Sequence, residues 1–163
     1  MKLIKDSVDN FYKWVHGSEF VELGEIDVTE DPVRPELDLE WRKAYSRKIY
    51  GLTYKNNIEG IICVAFCNDL PQSERELRLI SENAHLLENA TIAVAYTVWS
   101  RKRGAGKEIV AKLKQHIIEK TDIKRVVTLS PLTPMAAHFH ISNGGKLVQY
   151  NATTQNFEYN LDK

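Results

Sequence analysis

The 163-residue chain contains only two cysteines, Cys63 and Cys67, and has no net charge because 22 Lys and Arg residues balance 22 Asp and Glu residues. Two cysteines exclude a disulfide-dense secreted scaffold. A neutral chain lacks the basic footprint of a nucleic-acid-binding domain. No apolar run approaches the roughly 18 residues of a membrane span, and residues 1–6 lack a signal-peptide core. We therefore expect a cytoplasmic protein with no nucleic-acid partner and no membrane partner.

Length and composition indicate a single globular domain over residues 1–163. Apolar residues at helical spacing predict a short amphipathic helix over residues 7–16. Residues 17–40 are acidic and loop-like and contain Pro32 and Pro35, which leaves a lid, a partner surface and a long connection open.

The remaining chain alternates between strand and helix patterns around one sheet, which predicts a mixed α/β domain. Strands are expected over residues 48–54, 60–66, 90–99, 125–129, 146–151 and 156–161, with residues 55–59 as a hairpin connection. Helices are expected over residues 72–83, opened by Pro71, over 107–120, and over 134–142, where Asn143-Gly144-Gly145 ends the helix. Cys63 and Cys67 share one face of their strand as small buried residues, and no His or Cys cluster predicts a metal site.

The turn between the buried strand 90–99 and the next helix carries the strongest local signal: Arg101, Lys102, Arg103, Gly104, Ala105, Gly106 and Lys107. Glycines let a ligand approach the backbone closely. The first N–H groups of a helix have no intrahelical partner, and the helix dipole favours an anion beside them. Four cations crowd this helix end, and a bound phosphate would relieve their opposition to the dipole. The alternative is a glycine turn with solvated cations, since the spacing is neither a Walker loop nor G-x-G-x-x-G.

The pattern Arg-x-x-Gly-x-Gly between a buried strand and a periodic helix resembles the pyrophosphate loop of the GNAT acyltransferase superfamily. This resemblance implies a single GNAT-like domain with a mixed, mostly antiparallel sheet flanked by helices. It also implies that coenzyme A, as an acyl-CoA substrate, binds at residues 101–107 and at the adjoining strand end, Val98 and Trp99. Dimers formed through strands are frequent in this superfamily, so a homodimer is an expected partner.

Three short motifs of the second half resemble the catalytic domain of malonyl-CoA decarboxylase: Leu129-Ser130-Pro131, Phe139-His140-x-x-Asn143-Gly144 and the segment 156–161 around Tyr159. The resemblance implies that malonyl-CoA is converted to acetyl-CoA and CO2. It implies that His140 supplies the proton, which an imidazole of near-neutral pKa suits. Ser130 would contact the carboxylate or orient the thioester, and Tyr159 would be a supporting hydroxyl. Backbone N–H groups at the splayed strand end would stabilise the enolate.

Two other functions stay open. In CoA-dependent N-acetyl transfer to an amine acceptor, His140 would protonate the leaving thiolate, although residues 91–100 contain no carboxylate to act as general base. The chain could also be a non-catalytic acyl-CoA-binding module. In the simplest structural interpretation, His140 is a core histidine with a satisfied ring, His138 is exposed, and Ser130 is a turn hydroxyl.

Overall fold

The computed structural model describes residues 17–162, so the helix predicted over residues 7–16 lies outside the described residues. Within residues 17–162 eight strands form one sheet: β1 (Glu19–Glu22), β2 (Lys48–Tyr54), β3 (Asn57–Cys67), β4 (Ile92–Ser100), β5 (Arg125–Thr128), β6 (Ser130–Pro131), β7 (Lys146–Tyr150) and β8 (Thr154–Tyr159). Their order is β1-β2-β3-β4-β5-β8-β6, with β7 paired to β8. Among the described strands only β4 and β5 pair in parallel. The predicted mixed, mostly antiparallel sheet is confirmed.

In the described part of the chain, four α-helices accompany the sheet: α1 (Leu39–Lys43), α2 (Glu74–Leu87), α3 (Ala105–Lys120) and α4 (Pro134–Ser142). Helix α4 matches its predicted bounds, and Thr133 caps it by accepting a hydrogen bond from the Ala136 N–H. No helix in residues 17–162 is long and apolar enough to cross a membrane.

Apolar side chains pack in two layers, one on each face of the sheet. One layer lies between the sheet and α3 and contains Leu52, Ile62, Ile109 and Leu113. The opposite layer contains Ile61, Cys63, Ala65 and Cys67 of β3, together with Leu77 of α2. Alternation along β3 sends every second side chain to the same face, so the predicted shared face of the two cysteines is confirmed.

The prediction of a loop-like segment over residues 17–40 is wrong in part. It contains β1, which pairs with β2, and a 3-10 turn at Val28–Glu30. A four-residue edge strand flanked by acidic residues is too short to show a period of two. The hairpin between β2 and β3 is also tighter than predicted, because Lys55 and Asn56 both have positive φ and form a two-residue turn.

Two predicted helix starts are also wrong. Helix α2 begins after Ser73, whose hydroxyl accepts from the Glu76 N–H at 3.1 Å, so Pro71 lies outside its first turn. The carbonyl of Pro71 instead accepts from the Asn156 side chain at 3.0 Å. Helix α3 begins at Ala105, two residues before the predicted start, because Gly104 adopts φ +87° as the N-cap.

Candidate active site

The sheet opens between β4 and β5, and this gap forms the candidate site. The two strands pair as far as Ala95 and Thr128, where the Leu129 N–H donates to the Ala95 carbonyl at 3.0 Å. Facing β3, the strand β4 carries one extra residue, Tyr96, because the register steps from Thr97 to Ala95 across Cys63 and Val64. An extra residue bends the strand that carries it, and β4 diverges from β5 at this point.

A cavity of about 410 Å³ lies in the gap. Its walls come from the second half of β4, the segment after β5, α4, the first turn of α3, and the loop around the 3-10 turn. Five predicted site residues therefore meet at one cavity: Val98, Trp99, Gly106, Ser130 and His140. Among the lining residues that belong to the described range 17–162 there is no lysine or arginine, and Glu30 is the one carboxylate.

His140 is buried in α4, with only 8% of its surface exposed. Its Nδ1 atom is 2.7 Å from the Tyr159 hydroxyl, and its ring stacks on Phe157. The hydrogen bond occupies Nδ1, so Nε2 is the ring nitrogen left for a ligand. Burial lowers the pKa of His140 to about 4. The near-neutral pKa expected from the sequence is therefore wrong, because desolvation disfavours the imidazolium, and the resting ring is neutral at pH 7.

Tyr159 stands behind His140 and is not part of the cavity wall. Burial raises the pKa of its hydroxyl, so the hydroxyl stays protonated at neutral pH. Gly145 permits this close packing: a Cβ there would lie 2.9 Å from the His140 carbonyl oxygen and 3.3 Å from the Tyr159 ring. The Gly145 N–H donates to that carbonyl at 2.8 Å. These contacts place the Tyr159 hydroxyl in position to orient His140.

Ser130 is buried at the start of β6 and lies on the cavity wall. Its Oγ is 2.8 Å from the Thr128 Oγ1, and Thr128 Oγ1 also accepts from the Phe157 N–H at 3.1 Å. When Thr128 donates to Ser130, the Ser130 hydroxyl keeps its own proton for a ligand in the cavity. His138, by contrast, is exposed, as expected.

The turn before α3 has a backbone conformation that would suit a bound anion. Gly104 has φ +87°, a conformation that favours glycine, and no side chain caps the helix. The Ala105 N–H donates to the Lys102 carbonyl at 3.1 Å, and the N–H groups that follow it in the first turn have no intrahelical partner. A Cβ on Gly106 would lie 3.3 Å from the Phe139 ring, so the glycine lets α3 and α4 approach each other beside the cavity.

The four cations of this turn are not equivalent. Arg101 makes two hydrogen bonds to the Glu30 carboxylate, at 2.8 and 2.9 Å, and Lys102 pairs with Glu59 at 3.3 Å. Arg103 and Lys107 are exposed. Acidic residues of the 3-10 turn and of β3 therefore lie beside two of the four cations at this helix end.

Sequence reasoning missed the residues that the first half contributes. Glu30, Pro32 and Val33 line the cavity, and Asp31 and Arg34 contact β4 from behind it. Asp31 and Arg34 act through contacts with residues more than sixty positions away, and no local pattern marks either of them. Among the described residues, no group of three or more His, Cys, Asp or Glu side chains could hold a metal ion.

A scan against protein-family models finds no match, and a search among curated proteins finds no matching sequence. Solved structures do match. The malonyl-CoA decarboxylase of Cupriavidus metallidurans aligns over 98% of this chain and 66% of its own, with TM-score 0.68 and 13% identity. The GphF GNAT-like decarboxylase in complex with isobutyryl-CoA aligns over 76% of this chain and 83% of its own, with TM-score 0.62 and 11% identity.

An acetyltransferase of Bacillus subtilis in complex with CoA aligns over 88% of this chain and 98% of its own, with TM-score 0.61 and 9% identity. The chain spans 40%, 66% and 64% of three malonyl-CoA decarboxylase chains. At these identities the likeness concerns the fold. The fold expected from the glycine turn and its flanking elements is confirmed: the chain has the GNAT fold, with structural similarity to GNAT-like decarboxylases and acetyltransferases.

Proposed function

We propose that the chain is an acyl-CoA-dependent enzyme that decarboxylates malonyl-CoA to acetyl-CoA and CO2. One observation carries the proposal: Ser130 and a neutral, buried His140 meet the open end of β4 in a cavity to which the described residues contribute no lysine or arginine. The fold shared with malonyl-CoA decarboxylases and with a decarboxylase crystallised with isobutyryl-CoA supports it.

Coenzyme A would bind beside this cavity, along β4 and at the first turn of α3. Its diphosphate would accept hydrogen bonds from the first N–H groups of α3, with the exposed Arg103 and Lys107 adding positive charge. The pantetheine arm would follow Val98 and Trp99 along β4, since both line the cavity. The thioester would then lie in the gap between β4 and β5, within the cavity that Ser130 and His140 line.

The cavity suits loss of CO2. A malonyl carboxylate that enters it gives up water without gaining a cationic partner, so burial raises the energy of the charged reactant. As the bond to CO2 breaks, its electron pair moves into the thioester and forms an enolate oxyanion. Backbone N–H groups at the end of β4 and the Ser130 hydroxyl are donors that would stabilise this charge.

The last step places a proton on carbon. His140 is neutral in the free protein, and a bound anion raises the pKa of a neighbouring imidazole. The enolate would therefore bring a solvent proton onto Nε2, and His140 would pass it to the enolate carbon. One proton is consumed for each acetyl-CoA and CO2 formed.

Transfer of an acyl group to an amine is the second candidate. The amine would need a base, and Glu30 is the one carboxylate among the lining residues. Hydrogen bonds from Arg101 are the main cause that lowers the pKa of Glu30, which makes it a weak base at neutral pH. The amine acceptor, the homodimer and a purely binding role stay predictions.

Mass spectrometry of malonyl-CoA after incubation with the protein, without any amine, tests the proposal. We expect acetyl-CoA with the wild type and with His138→Ala, the exposed control on the same helix, and its loss with His140→Ala. Thiol release that requires an added amine would support transfer instead. A CoA-dependent rise in melting temperature without thioester consumption would identify a binding module. Undiminished turnover by His140→Ala would remove that residue from the mechanism.

A further inference from the structure

The carbonyl groups at the inner end of the gap need hydrogen-bond donors that the strands do not supply. In a continued parallel ladder, the buried Leu129 carbonyl would accept from an N–H of β4. The strands separate at this residue, after the bond from the Leu129 N–H to Ala95. Buried carbonyls rarely stay unpaired, so another group must satisfy them.

Arg34 supplies those donors from outside the sheet. Its Nε donates to the Tyr96 carbonyl at 2.9 Å, and its Nη2 donates to the Leu129 carbonyl at 3.0 Å. Arg34 lies on the loop between the 3-10 turn and α1, and it is buried. A planar guanidinium offers two N–H donors in a fixed fork. One side chain therefore bridges β4 and the segment after β5 where their own hydrogen bonding has stopped.

Further hydrogen bonds fix both the backbone and the side chain of Arg34. Its N–H donates to Asp31 Oδ1 at 3.1 Å, and its carbonyl accepts from Arg42 Nη2 at 2.7 Å. Its remaining amino group, Nη1, donates to Glu74 at the start of α2 at 3.0 Å. Backbone and side chain are therefore both fixed, and the guanidinium has one position relative to β4.

The same network reaches the next residue of β4. The Thr97 hydroxyl donates to Asp31 Oδ1 at 2.7 Å, and Asp31 Oδ2 accepts from Arg42 Nη1 at 2.8 Å. Asp31 and Arg42 are 1% and 0% exposed. Two consecutive cavity residues, Tyr96 and Thr97, are thus held by the segment 31–42, which includes the start of α1.

We propose that Arg34 is a positioning residue of the reaction. By holding the Tyr96 and Leu129 carbonyls, it keeps the gap at the width that lets β4 and the pair Ser130 and His140 act on one thioester. Arg34 does not line the cavity and acts through the backbone on either side of it. A lysine would preserve the charge but lose the fork. This inference rests on the proposed function.

The test compares Arg34→Lys with Arg125→Lys. Arg125 donates from the same two atoms, Nε and Nη2, but to the Glu158 carboxylate, at 2.9 and 2.8 Å, and it lies outside the cavity wall. For each protein we would measure kcat and KM for malonyl-CoA and the Kd of CoA. We would also record the carbon-13 resonance of bound acetyl-CoA labelled at the carbonyl. A role confined to stability would not move that resonance.

We expect Arg34→Lys to lower kcat about 100-fold, the scale of a misplacement near 1 Å. The Kd of CoA should stay within about threefold, since the diphosphate site lies elsewhere, as should every value for Arg125→Lys. The bound carbonyl resonance, displaced in the wild type by hydrogen bonding, should return toward that of free acetyl-CoA in Arg34→Lys. An unchanged kcat and resonance in Arg34→Lys, or an undisplaced wild-type resonance, would overturn the inference.

A wild type that binds acetyl-CoA without decarboxylating malonyl-CoA would refute the proposed function, and the resonance would then decide about Arg34 alone. A loss of CoA affinity in step with kcat would indicate general loosening and would also overturn the inference. If Arg34→Lys fails to fold by circular dichroism, Thr97→Val tests the same network from the strand. Unchanged kcat and resonance in Thr97→Val would count against the network.

Discussion

The two sides of the cavity differ in how the sequence encodes them. One side, with Ser130 and His140, comes from a stretch in which short motifs stand next to strong strand and helix patterns. The other side, Glu30 to Val33 with Arg34 behind it, comes from an acidic segment without periodicity. A group that touches substrate needs a particular side chain on a particular turn, and this leaves a local pattern. A group that positions a strand needs only one long-range contact, such as that of Arg34 with Leu129, 95 residues away.

The largest expected effect tests whether the segment without motifs determines stability. Asp31→Ala removes the acceptor of four hydrogen bonds and leaves the Arg42 guanidinium buried without its ion-pair partner. Breaking a buried pair on one side costs about 3–5 kcal/mol. Urea unfolding should show this loss in Asp31→Ala, whereas Asp122→Ala, at an exposed position, should change stability by less than about 0.5 kcal/mol. Equal stabilities would contradict the structural role of Asp31.

Parts of the fold follow from the sequence because their patterns are long. The apolar run of β4 and the periodic face of α3 each specify an element without help from the rest of the chain. Strand β1 could not be found in this way, because it is four residues long and depends on pairing with β2. The predicted start of α2 is too early because it places Pro71 in the first turn. The Pro71 carbonyl instead accepts a hydrogen bond from Asn156 of β8, a contact that only the folded chain defines.

The candidate site, like the fold, could be predicted only in part. The positions of Ser130 and His140 on one cavity follow from motifs whose order the fold preserves. The pKa of His140 could not be predicted, since it depends on burial among Phe139, Phe157 and Tyr159. The ion pairs of Arg101 and Lys102 were also hidden, because Glu30 and Glu59 are distant in sequence.

A second prediction uses pH to test the side of the cavity that carries the motifs. The pKa of His140 is about 4 in the folded protein against about 6.5 when unfolded. As pH falls, the unfolded chain binds this proton first. The stability from neutral His140 is therefore complete above about pH 6.5 and is lost toward pH 4. Between about pH 7 and pH 5 the free energy of unfolding should fall by about 2 kcal/mol from this residue.

The matched variants for this experiment are His140→Gln and His138→Gln. The first should unfold with a weaker pH dependence than the wild type, and the second, at an exposed position, should keep the wild-type slope. Burial also lowers the pKa of His116, so part of the slope remains in both variants. Identical slopes in His140→Gln and the wild type would show that the imidazole is not buried as neutral.

A third prediction concerns the ends of α3. The double variant Arg103→Ala and Lys107→Ala removes the exposed cations at its N-terminus, and CoA affinity should fall about tenfold, or about 1.4 kcal/mol. The effect should shrink with added salt, because exposed charges are screened. Lys120→Ala with Lys124→Ala removes two exposed cations at the other end and should leave the Kd of CoA unchanged. Equal losses in the two double variants would indicate nonspecific attraction rather than a diphosphate site.

The smallest expected effect concerns Tyr159 and tests whether its hydroxyl only orients His140 or takes part in proton transfer. Tyr159→Phe removes the hydroxyl 2.7 Å from His140 Nδ1 and should destabilise the protein by about 1 kcal/mol. If the hydroxyl only orients the ring, kcat should fall about tenfold, which corresponds to about 1.4 kcal/mol. Tyr150→Phe, on the exposed strand β7, should leave kcat and stability unchanged. A loss as large as that of His140→Ala would make the hydroxyl part of the proton path. Tyr159 belongs to a sequence motif but lies outside the cavity wall. A small loss of kcat would therefore show that a motif can also mark a residue that only positions a neighbour, here His140.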